Sequence, residues 1–208
     1  VSLIKKLKKR ADTLPPPMAT QLMIDFGKDP FIALISCLLS LRARDKVTYP
    51  ICKKLFEHVR TPQQLLAIPK PKLEQLIHSI GFYKRKTDIL HEVSKNLINR
   101  FESKIPTTKK ELLSIKHVGQ KTANIVLAEA FDTPALGVDT HVHRISNKLG
   151  LVHTKTADQT EKALCKIIPK RYWAATNRYM VAWGQNRCND PKKCPVHELC
   201  ITIYGKQK

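Results

Sequence analysis

Two stretches of the chain combine residue types that could do chemistry on a sugar or a phosphate. The first is Ile115-Lys116-His117-Val118-Gly119-Gln120-Lys121-Thr122-Ala123. A short helix ends here, a tight turn containing Gly119 follows, and a new helix begins. From Ala123 to Phe131 only Asn124 and Glu129 interrupt an apolar run, so the new helix must be buried. A turn feeding a helix N-terminus aims backbone N–H groups outward, and these suit a phosphate oxygen. At Gly119 no side chain holds the phosphate away. Lys121 lies in the first helical turn, where the positive end of the dipole and nearby burial both disfavour an ammonium. A free amine in that place can attack an electrophilic carbon. The plainer role open to Lys121 is to pair with a phosphate as a point charge.

The second stretch is Gly137-Val138-Asp139-Thr140-His141-Val142-His143-Arg144. Asp139 stands at a helix N-cap and could do no more than cap. A deep carboxylate facing a developing cationic sugar would instead supply electrostatic catalysis. His141 and His143 resemble a metal pair, but residues two apart point to different helix faces. Structural or DNA-contact roles suit them better.

The elements that must position these residues read as helices throughout. Asp29-Pro30 gives an N-cap and N1 proline before the all-round apolar run Phe31 to Leu41, which marks a central helix. Thr61-Pro62-Gln63-Gln64 and Thr108 with Glu111 read as capping boxes, and Thr156 with Gln159 caps a third helix. Leu73, Leu76, Ile77 and Ile80 form a helical stripe, with Gly81 where a C′ glycine belongs. Ile89, Leu90, Val93 and Leu97 form the next stripe, and Gly150 closes the helix that starts after Asp139. Pro50 falls inside a helical pattern and predicts a kink or a late start. Leu3, Ile4 and Leu7 predict a short amphipathic helix docked on the body, which suits the basic start better than a mitochondrial presequence does. No stretch alternates as a strand would. The expected fold is all-α, with a six-helix domain over residues 22–131. Residues 1–21 and 132–208 are expected to form a second helical domain, with a cleft between the two.

Charge narrows the partner. Lys and Arg total 37 against 17 Asp and Glu, a formal charge of +20. Such self-repulsion favours a polyanionic partner, nucleic acid before a membrane surface. The longest apolar run, Phe31 to Leu41, has 11 residues, short of the ~20 that span a bilayer. Neither a membrane partner nor a secretion signal is expected; a cytoplasmic, nucleoid-associated monomer is, if the source is prokaryotic. Cys37, Cys52 and Cys165 fall in predicted helices, while Cys188, Cys194 and Cys200 cluster near the C-terminus. That layout suits a reducing compartment and a metal site better than a disulfide framework.

Together these segments resemble the endonuclease III family of DNA glycosylase/AP lyases. Lys116-His117-Val118-Gly119-Gln120-Lys121-Thr122-Ala123 is similar to that family's helix-hairpin-helix, and Val138-Asp139-Thr140-His141 to its catalytic-aspartate segment, 18 residues beyond Lys121. Leu38-Leu39-Ser40 with Asp45, and Ile80-Gly81-Phe82-Tyr83, resemble further family segments. The resemblance implies an enzyme that flips a damaged, oxidised pyrimidine out of duplex DNA. Lys121 would attack the sugar C1′ to form a Schiff base, and β-elimination would cut the strand 3′ to the abasic site. Asp139 would stabilise the cationic sugar. The implied DNA-binding set is Arg42, Phe82, Lys84, Lys116, His117, Val118, Gly119, Gln120, Thr122 and His141. The basic runs Lys84-Arg85-Lys86 and Lys192-Lys193 are expected against phosphates.

Three departures qualify the resemblance. Lys116-His117 replaces the hairpin's usual Pro-Gly, so His117 must adopt a backbone glycine takes more easily, or the turn must differ. Arg42 stands where many relatives carry a glutamine that fills the gap left by the flipped base; a guanidinium could stack there. Phe82 falls near the wedge position. The family's [4Fe–4S] site needs four cysteines, whereas this chain has Cys188, Cys194 and Cys200. His197 or Cys165 would have to serve as fourth ligand, or zinc could occupy three cysteines and His197, or no metal binds. Two rival functions remain open: a glycosylase for mismatched or alkylated bases without strand cleavage, and a non-catalytic helix-hairpin-helix DNA-binding module.

Overall fold

The computed structural model describes residues 2–186, except for the side chains of Ser2, Leu3, Lys6 and Arg10. Within them the chain is all-α. In order come α1 Ser2–Ala11, α2 Met18–Phe26, α3 Pro30–Ser40, α4 Asp45–Phe56, α5 Pro62–Ala67 and α6 Lys70–Ile77. Then follow α7 Tyr83–Phe101, α8 Lys109–Ser114, α9 Gln120–Ala130, α10 Thr140–Lys148, α11 Ala157–Ile167, a 3-10 turn Lys170–Tyr172 and α12 Trp173–Asn186.

The chain divides into two compact units. One is Met18–Thr133; the other joins the described residues of 1–17 to those from Pro134 onward. The first unit carries α2 to α9, eight helices where six were expected; α5 and α8, which start at the capping threonines Thr61 and Thr108, have six residues each. Its centre is α3. Every residue from Phe31 to Leu39 is buried, and α3 packs against α9, α7, α4 and α2. Fully burying each large aliphatic side chain there contributes about 1.5–3 kcal/mol. In the second unit α12 packs against α1 and α10. Ile4, Leu7, Val142, Ile145, Met180 and Trp183 form its core, so the N-terminal stripe docks as its spacing predicts.

Local chemistry starts most helices. Asp29 Oδ1 accepts from Phe31 and Ile32 N–H, ahead of Pro30 at N1. Thr61, Thr108 and Thr156 each accept the N–H three residues on. The capping glutamines Gln64 and Gln159 reach back one residue further than a capping box does, to Arg60 and Lys155 N–H.

Two local expectations change. α4 starts at Asp45 and runs through Pro50, so the late start does not occur. Pro50 and Lys46 are both exposed, so the carbonyl that loses its partner can turn to water. Gly81 is not the left-handed helix-ending residue: Phe82, one position on, takes φ 61° and ψ 31° as the N-cap of α7. Gly150 does take φ 66° and closes α10.

Candidate active site

The hairpin is built by α8, the turn Ile115 to Gly119, and α9. Ile115 and Val118 are buried and anchor the turn in the core, and Val118 N–H donates to Ile115 O at 3.0 Å. His117 takes φ 74°; of the two outcomes open to it, it keeps the left-handed backbone and the turn does not differ. Its Nε2 donates to Glu92 of α7 at 2.6 Å, and Lys116 Nζ reaches the same carboxylate at 3.1 Å. Those two bonds, His117 first, hold the Glu92 carboxyl below its ordinary range. His117 is thus tied to a protein carboxylate; the sequence offered no sign of Glu92, which lies 25 residues away.

Gly119 is the N-cap of α9 with φ −95° and ψ 176°, and it offers no side chain to cap the helix. Its backbone is open to any residue, and a Cβ there would meet nothing within 4 Å. The space beside Gly119 at the head of α9 is therefore clear, which suits a group that approaches the N–H groups there closely. Val118 and Thr122, both in the expected DNA-binding set, are buried; only their backbone can face a ligand. Gln120 is exposed.

Lys121 is the second residue of α9 and is half-buried. Among the described residues no hydrogen bond or ion pair holds its Nζ. Its charge acts on the buried thiol of Cys37 on α3. Burial pushes that thiol up to about 12, Lys121 pulls it down, and Asp45 and Glu129 push it up again. Cys37 stays a neutral thiol.

Asp139, in the other unit, caps α10 with φ −104° and ψ −172°. Its Oδ1 accepts from Val142 N–H at 2.9 Å, while Oδ2 has no hydrogen-bond partner among the described residues. The segment that delivers it is pinned by Asn177 of α12, whose amide donates to Gly137 O at 2.6 Å. Two residues on, His141 lies directly against α12: a Cβ on Gly184 would come within 2.5 Å of His141 Nδ1 and 2.7 Å of its Cβ and Cγ. Glycine is required at 184 by that approach. Gly184→Ala should therefore destabilise the protein by about 1–3 kcal/mol, the cost of overpacking. Thermal melts of the two proteins check it, and an unchanged melting temperature would refute the contact.

Arg42, Phe82, Lys84 and Arg85 are exposed. Phe82 leaves 63% of its surface accessible, as a residue expected to meet the duplex requires. Arg42 takes φ 54°. Lys86 departs from the expected phosphate-facing run: it is 4% exposed, and its Nζ donates to Leu39 O at 2.8 Å. The signal was available, because residues 86, 90, 93 and 97 fall on one helical face. Cys188, Cys194, His197, Cys200, Lys192 and Lys193 lie outside the described residues. Cys165 is half-buried against the core of its unit, and no group of three or more His, Cys, Asp or Glu among the described residues could hold a metal ion. No helix among them is long and apolar enough to cross a membrane.

Comparison with known proteins agrees with this geometry. The model of the HhH-GPD superfamily of base excision DNA repair proteins matches residues 35–170. The chain is 45% identical over 178 residues to endonuclease III of Thermotoga maritima, covering 86% of this chain and 81% of that relative. A solved non-covalent endonuclease III–DNA complex superposes with a TM-score of 0.81 at 33% identity, covering 97% of this chain and 93% of that one. A trapped endonuclease III–DNA covalent intermediate gives a TM-score of 0.76 at 33% identity, covering 97% of both chains.

Proposed function

The chain belongs to the endonuclease III family of the HhH-GPD base excision DNA repair superfamily, and from that premise we propose that Lys121 and Asp139 carry its chemistry. The protein is a bifunctional DNA glycosylase and AP lyase acting on damaged pyrimidines in duplex DNA. Its helix-hairpin-helix grips the phosphate backbone through the open first turn of α9 and the exposed Gln120, with Lys116 and His117 at its rim. Arg42 and Phe82 act on the helix from which the damaged nucleotide is flipped, and Lys84 contacts phosphate. His141 supports the Asp139 turn from its slot against Gly184.

The reaction follows from the residue types. The Lys121 amine attacks the deoxyribose C1′, and the bond from C1′ to the base breaks, with the bonding pair and a proton leaving on the base. Opening of the sugar ring leaves Nζ joined to C1′ as a Schiff base. Loss of a proton from C2′ then expels the 3′ phosphate by β-elimination, and water releases the amine. The anionic charge of Asp139 favours the cationic sugar and assists its proton transfers.

One observation supports this reading most: Lys121 sits at the mouth of a buried helix with its amine unengaged by any described residue. A structural lysine in such a place would be held by a carboxylate or a carbonyl. Incubating the protein with a duplex containing thymine glycol, with and without borohydride, tests it. A covalent protein–DNA adduct should form only with borohydride, and strand cleavage should appear without it. Base removal with no adduct would point to a glycosylase that lacks the lyase step.

The C-terminal Cys188, Cys194, Cys200 and His197 do not complete the four-thiolate set of a [4Fe–4S] cubane. The steps above draw only on protein side chains.

A further inference from the structure

Lys86 is a buried cation on the core face of α7. Burial pushes its pKa below the ordinary lysine value, and a core position of this kind would be filled more favourably by methionine or leucine. What lysine adds there is reach. Its Nζ donates to the carbonyl of Leu39 at 2.8 Å, in the last turn of α3. Its own backbone N–H donates to Phe82 O at 3.0 Å. From Leu39 the chain runs through Leu41 to Arg42 at φ 54°, and Phe82 stands at φ 61°. Two exposed side chains are thus carried on left-handed backbone, which costs about 1–2 kcal/mol per non-glycine residue and persists only where the surroundings hold it. The Arg42 turn is closed locally by Ala43 N–H donating to Ser40 O at 3.0 Å, and Lys86 ties the end of α3 from which that turn springs to the first turn of α7 beside Phe82.

We propose that Lys86 is a positioning residue for strand opening: its bond to Leu39 fixes the Arg42 turn relative to the Phe82 turn, so that guanidinium and phenyl ring act on the duplex together. Lys86 touches neither DNA nor the reacting sugar. This rests on the function proposed above, and it assigns Lys86 to duplex handling rather than to bond making.

The experiment compares single-turnover rates on two substrates, with the full chain throughout. One is thymine glycol in a duplex; the other is an abasic site in a single strand, which has no partner strand to open. Lys86→Met should lower the duplex rate about tenfold and the single-strand rate by less than about twofold, the pattern of misplaced contacts rather than damaged chemistry. Lys86→Arg, which can still donate to the Leu39 carbonyl, should restore most of the duplex rate. A 2-aminopurine placed opposite the lesion should brighten on binding wild type and stay quenched with Lys86→Met. If Lys86→Met yields no folded protein, the duplex-to-single-strand ratio of Lys86→Gln decides on the same terms. An unchanged ratio, or equal losses on both substrates, overturns the proposal. Wild type that cleaves neither substrate would instead overturn the function it rests on.

Discussion

Lys121→Ala is expected to abolish borohydride trapping and to lower base excision by about 10⁴-fold or more, the scale on which removing a covalent nucleophile acts. Stability should barely change. The side chain is half-buried and makes no hydrogen bond or ion pair with a described residue, and alanine is the better helix former. Binding to undamaged duplex should weaken only by the loss of one positive charge. That combination separates a nucleophile from a phosphate contact. If Lys121→Ala kept its rate at saturating DNA and lost only affinity, the lysine would be a point charge and the Schiff-base reading would fail. Gel analysis of the trapped adduct, with single-turnover excision at two salt concentrations, makes the distinction.

Asp139→Asn should reduce excision by about 10²–10³-fold, the range for losing one group that stabilises charge in a transition state. The structure makes asparagine the informative replacement. Asp139 Oδ1 caps α10 through Val142 N–H, and asparagine caps as well as aspartate does. The substitution should cost only the charge–dipole interaction, about 0.3–1 kcal/mol. Asp139→Ala should lose the same activity and a further ~1 kcal/mol of stability, because it also removes the cap. Activity and stability should therefore come apart: both variants equally impaired, only one clearly less stable. A fully active Asp139→Asn beside an impaired Asp139→Ala would reduce Asp139 to a cap.

Strained backbone recurs at the residues assigned to DNA. Arg42, Phe82 and His117 all take positive φ without being glycine. At His117 the compensation is visible, since Glu92 holds the ring and the neighbouring Lys116 together. At Arg42 the turn is closed by Ala43 N–H donating to Ser40 O, with Lys86 anchoring the adjoining end of α3, and at Phe82 the carbonyl accepts from Lys86 N–H. Glu92 and Lys86 both belong to α7, which links the hairpin and the two exposed turns within one unit.

Much of this molecule is written locally in its sequence. Asp29, Thr61, Thr108, Asp139 and Thr156 are read correctly as caps, because a capping side chain bonds an N–H two or three residues on and needs no tertiary partner. The buried helices α3 and α9 are legible for the same reason, since an all-round apolar run has only the interior to occupy. For His117 the resemblance narrowed the outcome to a left-handed backbone or an altered turn, and the structure chose the first. Tertiary structure alone decided the rest. Lys86 reads as one member of a basic surface run until the fold turns its face inward and brings Leu39 O to it from 47 residues away. The left-handed reversal reads as belonging to Gly81 until the fold places it one residue on, at the exposed Phe82. Glu92 and Gly184 give no local sign of their partners, because a carboxylate meeting a hairpin and a glycine meeting a histidine ring depend on which helices pack together. Desolvation and close approach belong to neighbours in space, and periodicity along a chain records only which face is buried.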